Sequence, residues 1–195
     1  DRVMSGAERG ALGRRREQLL TGLGGHVVEV GAGTGINLRH LDSRPERVTA
    51  LEPNPAMSRR LRATAALRDD LDIEVLDAPV EALPLPDTCA DTVISTLVLC
   101  SVDDLDLAIT EIRRVLRDDG RLVVLEHVAS HHPVAAAFQR AIEPAWTVVA
   151  RGCRLTRDTR TALADHGFAA DRLDAWRMPG AGPAAPAISG ITVKR

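Results

Sequence analysis

The sequence predicts an α/β domain, a mostly parallel sheet covered by helices on both faces. Two observations support this: short apolar runs alternate with longer amphipathic segments, and a glycine-rich turn follows the first apolar run. Alternation of this kind is typical of parallel sheets, because parallel strands need a crossover connection, usually a helix. A chain of 195 residues suits one domain with its own core, so we treat residues 1–195 as a single domain.

Continuous apolar runs predict strands, and apolar residues spaced by three and four predict helices. The predicted strands are His26–Val30, Arg47–Glu52, Ile73–Asp77, Ala90–Leu99 and Arg121–Val128, with two more near Arg172–Arg177 and Ile188–Lys194. The predicted helices are Ala11–Leu23, Ile36–Leu41, Pro55–Arg68, Leu105–Leu116 and Thr156–His166.

Composition excludes several classes of partner. A net charge of −2 and only four aromatic residues of the types Trp and Phe argue against a nucleic-acid surface. No apolar stretch is long enough to span a bilayer, so we expect no membrane span, and we also expect no signal peptide. Cys89, Cys100 and Cys153 show no short repeated spacing, so we expect reduced thiols in a cytoplasmic protein. His131 and His132 lack a third ligand at metal spacing, and we predict no metal site.

The glycine turn differs from a dinucleotide fingerprint. Glycines occupy positions 31, 33 and 35, whereas the G-x-G-x-x-G pattern would place a glycine at Ile36. Glu29 precedes the turn, where its charge would repel a pyrophosphate but attract an ammonium group. Glu52 closes the second strand, where a carboxylate can accept both hydroxyls of a ribose. A ligand with a ribose, an ammonium and no phosphate is S-adenosylmethionine (SAM). The same residues would also suit a plain tight turn with solvated strand ends.

A family resemblance rests on five motifs: VEVGAGTG, LEPNP, LPLPD, DTVISTLVL and RRVLRDDGRLVVLEHV. With them the chain resembles the class I SAM-dependent methyltransferases over nearly its whole length, and more distantly the ubiquinone/menaquinone methyltransferases. STLVLCSV, EHVA, EPAW and GCRLTRDT are similar to the alkyl thiol S-methyltransferases. The resemblance implies a Rossmann-like, seven-stranded sheet whose last strand is antiparallel.

The resemblance also assigns a cofactor site, with S-adenosylhomocysteine as product. It places Glu29 and the turn around the methionine part, Glu52 at the ribose, and Thr96 and Leu97 at the sulfonium. Relatives often hold the adenine amino group with an acid where this chain has Pro79, so we expect main-chain recognition with packing by Met57 and Leu83. The implied cofactor residues are Glu29, Gly31, Ala32, Gly33, Thr34, Gly35, Asn37, Glu52, Pro53, Met57, Pro79, Val80, Glu81, Thr96 and Leu97.

Fewer sequence motifs indicate which residues bind and activate the methyl acceptor. A thiol acceptor needs only its thiolate, so a modest base or a nearby cation suffices. We name His127 and Arg157 as catalytic candidates, with Arg151 and Arg154 as alternatives to Arg157, although His127 could equally be a core histidine bonded to the backbone. We assign Cys100, His127, Trp146 and Cys153 to the substrate pocket; the cysteines could instead be small buried residues. The resemblance implies that the methyl group does not pass through the protein.

Residues 133–152 form a possible cap over the substrate. Phe138, Ile142, Trp146 and Val149 make an apolar stripe that Pro144 interrupts. The stripe could pack on the sheet as core, or roof an apolar pocket and favour a lipophilic small molecule.

We therefore predict a SAM-dependent methyltransferase of a small, fairly apolar molecule, most directly a thiol. The alternatives are O-, N- or C-methylation of a small metabolite or natural product, or a SAM-binding module without catalysis that acts through a partner. An NAD-linked oxidoreductase is disfavoured by Ile36 and Glu29.

Overall fold

The computed structural model describes residues 10–195, and its centre is one seven-stranded sheet. The strand order is β3-β2-β1-β4-β5-β7-β6, and only β7 runs antiparallel to its neighbours, which confirms the predicted sheet. The strands are β1 Gly25–Val30, β2 Pro45–Leu51, β3 Ile73–Leu76, β4 Ala90–Thr96, β5 Leu116–His127, β6 Asp174–Arg177 and β7 Pro186–Val193.

Five α-helices accompany the sheet within residues 10–195. They are α1 Ala11–Leu20, α2 Pro55–Ala65, α3 Leu105–Val115, α4 Pro133–Val149 and α5 Thr159–Asp165. Asn54 caps α2, whose first residue is Pro55, and Asp104 caps α3; side-chain caps and an N-terminal proline are typical helix starts. None of the helices in this part of the chain is both long and apolar enough to cross a membrane.

The sheet separates two apolar clusters, one on each face. Val28, Val93 and Val124 belong to one cluster, and Val27, Ile94 and Val123 belong to the other, because alternate strand residues point to opposite faces. The strand order reverses direction at β1: β2 and β3 lie on one side of it, and β4 and β5 lie on the other. Ligands of open α/β sheets bind beyond the carboxyl ends of the strands at such a switch point.

The helix predicted for Ile36–Leu41 is wrong. A short 3₁₀ turn, Asn37–Arg39, stands there, and β2 begins soon afterwards at Pro45. The Arg68 guanidinium donates to the carbonyls of Leu38 and Leu41, the latter at 3.0 Å. These bonds satisfy carbonyl groups that a longer helix would otherwise have paired.

Several predicted boundaries also shift for local reasons. The fourth strand ends at Thr96 rather than Leu99, because Leu97 has φ +59° and turns the chain away. The last helix begins after Asp158, whose carboxylate accepts the Thr161 N–H. Pro144 does not interrupt α4; it lies on the exposed face, where solvent can bond the carbonyl that a proline leaves without a donor.

Candidate active site

A cavity of about 1080 Å³ opens at the carboxyl ends of β1, β2 and β4. Fourteen of the fifteen predicted cofactor residues line it; Gly35 instead approaches Leu61 and Thr64 of α2. The predicted residues in its wall are Glu29, Gly31, Ala32, Gly33, Thr34, Asn37, Glu52, Pro53, Met57, Pro79, Val80, Glu81, Thr96 and Leu97.

The glycine turn is shaped by a close approach and by left-handed backbone. Gly31 has φ +58°, and a Cβ added to it would lie 2.6 Å from the Val98 side chain. Gly33 has φ +61° but open space beside it. A Cβ added to Gly33 would lie 4.0 Å from the nearest side-chain atom, Met57 Cε. Glycine is therefore required at position 31 by both sterics and conformation, and at position 33 by conformation. The turn leaves the space above Gly33 free for a ligand.

Glu52 holds this turn against the end of β2. Its Oε2 accepts the Gly33 N–H at 2.8 Å and its Oε1 accepts the Asn54 N–H at 2.9 Å. Each carboxylate oxygen can accept a further hydrogen bond. Glu52 lines the cavity and can therefore take ribose hydroxyls while it keeps the backbone in place.

Glu29 carries a buried carboxylate with one unsatisfied oxygen. Asn37 Nδ2 donates to Oε1 at 2.9 Å, whereas Oε2 has no hydrogen-bond partner among residues 10–195. Burial raises the pKa of Glu29 to about 7, although the Asn37 bond and the positive charge of Arg16 act in the opposite direction. A ligand cation beside Oε2 would satisfy the orphan oxygen and restore the ionised form.

Arg16 is a site residue that the sequence did not reveal to us. It projects from α1 into the cavity wall, is only 4% exposed, and its Nη1 donates to Asn37 Oδ1 at 2.5 Å and to Thr96 Oγ1 at 2.9 Å. The sequence does contain an indication of this role. Positions 12, 16 and 20 share one helix face, and an arginine between two buried leucines breaks an apolar stripe. The guanidinium gives this end of the cavity a positive charge beside Glu29.

The loop after β4 is held from below by Glu126. This buried carboxylate accepts the Ser95 hydroxyl at 2.8 Å and the backbone N–H groups of Val98 and Leu99 at 3.0 and 3.2 Å. Burial nevertheless raises the pKa of Glu126. The loop also contains Leu97 in its left-handed conformation, so these bonds fix the shape of the cavity wall where the sulfonium was expected.

The part of the cavity where adenine was expected differs from the prediction in one residue. Met57, Pro79 and Val80 line the cavity as expected, but Leu83 is buried in the core beneath it. Pro79 begins a 3₁₀ turn, Val80–Ala82, with φ −74° and ψ 159°. Pro79, Val80 and Glu81 of this turn line the cavity, whereas Leu83 does not.

The predicted acceptor residues lie behind the cavity wall. Cys100, His127 and Cys153 come together, with Sγ and imidazole nitrogen atoms within 4.8 Å of one another, but none of them lines the cavity. The neighbouring Cys100 thiol and, more weakly, His127 and Trp146 lower the pKa of Cys153 to about 4 against the effect of burial. The interaction with Cys153 and burial raise the pKa of Cys100. Burial opposes protonation of His127, but the interaction with Cys153 raises its pKa.

Arg157 also lies outside the cavity wall and bonds to backbone instead. Its guanidinium donates to the Leu99 carbonyl at 3.3 Å and to the Val102 carbonyl at 2.5 Å. Burial lowers the pKa of Arg157. With these two hydrogen bonds, Arg157 stabilises the loop after β4.

The segment 133–152 contributes little to the cavity. Ala150 and Arg151, which follow α4, line it, but no residue of the helix itself does. Ile142 and Trp146 are half-buried, whereas Phe138 and Val149 are exposed. The predicted stripe is thus half-buried in its middle and exposed at its two ends, and the substrate-cap assignment remains a prediction.

Comparisons with known proteins agree with this geometry. Residues 28–124 match the methyltransferase domain family Methyltransf_11. The chain is 38% identical over 181 residues to human thiol S-methyltransferase TMT1B, covering 90% of this chain and 74% of the relative. The fold is similar to the YcgJ protein of Bacillus subtilis, with TM-score 0.74, 16% identity and coverage of 94% and 97%.

A further solved structure is a methyltransferase with S-adenosylhomocysteine bound. It is the 1,6-didemethyltoxoflavin-N1-methyltransferase of Burkholderia thailandensis, with TM-score 0.64, 18% identity and coverage of 98% of this chain and 78% of that chain.

The residues of the cavity fit SAM. The unsatisfied Glu29 Oε2 suits an ammonium, Glu52 suits a ribose diol, and the glycine turn leaves room beside both. The cofactor is SAM and its product S-adenosylhomocysteine. The chain belongs to the class I SAM-dependent methyltransferases, in the family that includes the thiol S-methyltransferases TMT1A and TMT1B.

Proposed function

We propose that this enzyme methylates the sulfur of a small, fairly apolar thiol. The observation that carries the proposal is the similarity to human thiol S-methyltransferase TMT1B, which extends over 90% of the chain. It therefore reaches well beyond residues 28–124, which match the general methyltransferase domain. Segments outside the cofactor half decide which acceptor can bind, so similarity there bears on the substrate.

One region of the cavity suits such an acceptor. Leu97, Val98, Val102 and Ala150 give it an apolar surface, beside which Ser101, Asp103 and Arg151 also line the cavity. The loops that carry these residues touch, since Arg154 N–H donates to the Cys100 carbonyl at 2.8 Å. An apolar lining favours a thiol with an aliphatic or aromatic body over a charged metabolite.

The chemistry demands little of the protein. SAM supplies an activated methyl group, so the chain must align the acceptor sulfur, exclude water and favour the thiolate. Thiols ionise near neutral pH, and a cation at the site increases the ionised fraction. Arg151 lines the acceptor region and is the cation that we assign to this role. His127 and Arg157, which lie behind the wall, would act on this region only through the loops they bond.

At the cofactor end, we propose that Glu29 and Arg16 receive the methionine ammonium and carboxylate. Both side chains line the cavity, and Asn37 contacts both of them. Glu52 would hold the ribose, and Pro53, Met57 and the turn after Pro79 would enclose the adenine.

A panel of acceptors tests the proposal. Matched thiols, phenols, amines and carbon acids of similar size should be assayed for S-adenosylhomocysteine release. We expect turnover of apolar thiols, with a rate that rises up to the thiol pKa of each acceptor and a midpoint that moves from one thiol to another. Turnover of a phenol, amine or carbon acid with none of any thiol would overturn S-methylation. Tight SAM binding without turnover of any acceptor would point to a module that acts through a partner.

A further inference from the structure

Behind the wall of the acceptor region lies a cluster of three metal-binding side chains. Cys100, His127 and Cys153 come from the loop after β4, the last residue of β5 and the loop after α4. Their sulfur and nitrogen ligand atoms lie within 4.8 Å of one another. Cys100 and His127 are almost fully buried, and Cys153 is half-buried. The three residues are far apart in sequence, which is why the sequence alone led us to predict no metal site.

One nitrogen of the His127 imidazole has no hydrogen-bond partner among residues 10–195. His127 Nε2 lies 3.0 Å from the Arg154 carbonyl oxygen, and a carbonyl can only accept, so Nε2 carries the hydrogen. Nδ1 of a neutral imidazole is then an acceptor, and among residues 10–195 it has no hydrogen-bond partner. Metal-binding histidines are oriented in this manner: one nitrogen donates to a carbonyl or carboxylate while the other faces the ion.

The distances suit a tetrahedral ion after a small contraction. Zinc binds cysteine sulfur at about 2.3 Å and histidine nitrogen at about 2.0–2.1 Å, which places two tetrahedral ligands about 3.5–3.8 Å apart. The ligand atoms here, all within 4.8 Å, need to close by at most about 1.3 Å for this geometry. Side-chain rotation of Cys153, the least buried of the three, can provide such a change.

The backbone around the cluster is already fixed. Arg154 donates its N–H to the Cys100 carbonyl at 2.8 Å, and its own carbonyl accepts His127 Nε2. Arg157 bonds the carbonyls of Leu99 and Val102 on either side of Cys100. Two loops and one strand end are thus held together independently of any ion.

We propose that Cys100, His127 and Cys153 form a binding site for one zinc ion. Two thiolates and an imidazole are ligands that zinc prefers, and three protein ligands leave the fourth tetrahedral position to water or a small ligand. The ion would tie together the loops whose neighbouring residues, Ser101 and Ala150, line the cavity. This inference does not depend on which atom of the acceptor is methylated.

Metal analysis of the whole chain tests the site. The protein, carrying no polyhistidine tag and kept reduced, should be stripped with a chelator, refilled with zinc and analysed by elemental mass spectrometry. We expect about one zinc ion per chain. Cys153→Ala and Cys100→Ala should each weaken zinc binding by about 100-fold or more, since loss of a ligand exceeds the effect of losing an outer partner. Cys89→Ala is the matched control and should bind zinc like the wild type.

Cobalt provides a readout that needs no variant. Co²⁺ added to the reduced metal-free wild type should give the intense visible and near-ultraviolet absorption of tetrahedral thiolate ligation, and zinc should displace it. If the reduced wild type, folded by circular dichroism, takes up no zinc and gives no such spectrum, the proposal is overturned. Zinc binding that Cys100→Ala and Cys153→Ala leave unchanged would overturn it as well, because the ion would then sit elsewhere.

Discussion

The backbone N–H of Gly33 donates a 2.8 Å hydrogen bond to Glu52 Oε2, which joins the glycine turn after β1 to the end of β2. The two residues follow neighbouring parallel strands, whose carboxyl ends meet at one edge of the sheet. One carboxylate therefore shapes the turn and faces the cavity at the same time. Substitution of Glu52 should affect both roles.

Glu52→Ala should weaken SAM binding about 10–100-fold, because it removes charge-assisted hydrogen bonds worth about 1.5–3 kcal/mol. Isothermal titration calorimetry measures the change. Glu74→Ala is the control, since Glu74 lies on β3 and forms an exposed ion pair with Arg47. Equal SAM affinity of Glu52→Ala and the wild type would contradict the ribose assignment.

Glu29 should make the stability of the cofactor-free protein fall as pH rises. Its pKa is about 7 in the folded protein, against 4.5 as the ordinary value. Between these values the folded state binds more protons than the unfolded state, so the free energy of unfolding decreases with pH and levels off above about pH 7. The free energy of unfolding of the wild type should thus be lower at pH 8 than at pH 4.5 by about 3 kcal/mol at most, and Glu29→Gln should lose this difference. Urea unfolding of both proteins across this range checks it; identical pH profiles would refute the buried, protonated carboxyl.

SAM affinity should rise with pH because of Glu29, whereas the stability of the cofactor-free protein should fall. An ammonium ligand favours ionised Glu29, so affinity should fall as pH drops below about 7, by about tenfold per pH unit at the limit. Glu29→Gln should bind SAM more weakly at pH 7.5 and with a flatter pH profile. Calorimetric titrations from pH 5.5 to 7.5 measure this. A wild-type affinity independent of pH would contradict the placement of the ammonium at Glu29.

Arg16→Met should lower SAM affinity about 10–100-fold, because a charged hydrogen-bonding group near Asn37 and Thr96 is lost while most of the packing is kept. Arg14→Met, on the exposed side of the same helix, is the control and should bind SAM like the wild type. Unfolding measurements show whether α1 is destabilised. Unchanged affinity in folded Arg16→Met would exclude a role for this side chain in the cofactor site.

Pro79→Asp should leave SAM affinity unchanged or raise it. Position 79 has φ −74° and ψ 159°, which any residue can adopt, and its side chain lines the cavity. An aspartate there could accept a hydrogen bond from the adenine amino group. Loss of SAM binding in a folded Pro79→Asp variant would show that the proline is needed for the shape of the turn.

Arg151→Ala should reduce kcat/KM for thiols by about 10-fold or more, because a cation beside the acceptor favours the thiolate. Arg140→Ala, on the exposed part of α4, is the control. SAM affinity should be the same in both variants, which separates the acceptor from the cofactor. Full activity of Arg151→Ala at pH 6.5, where thiols are least ionised, would rule out this role.

The sequence by itself determined the parallel sheet and most of the cofactor wall. Alternating apolar runs and helices define the sheet, because side-chain periodicity reports which face of each element is buried. The glycine turn, Glu29 and Glu52 could be recognised because each lies at the end of a strand within one short stretch of chain. Glu29 and the glycines surround one turn, and Glu52 joins them because the carboxyl ends of neighbouring parallel strands meet at one edge of the sheet.

Only the tertiary structure decided which distant residues meet. The broken apolar stripe of α1 marks Arg16 as unusual, but only the packing of α1 against β5 brings its guanidinium to Asn37 and Thr96 at the cavity. Where a helix was expected at Ile36–Leu41, only a 3₁₀ turn forms, and Arg68 from the loop after α2 bonds the carbonyls of Leu38 and Leu41. Cys100, His127 and Cys153 come from three elements that converge when β4 and β5 pair and the loop after α4 closes over them. Their convergence depends on the packing of whole elements, which periodicity and spacing do not encode.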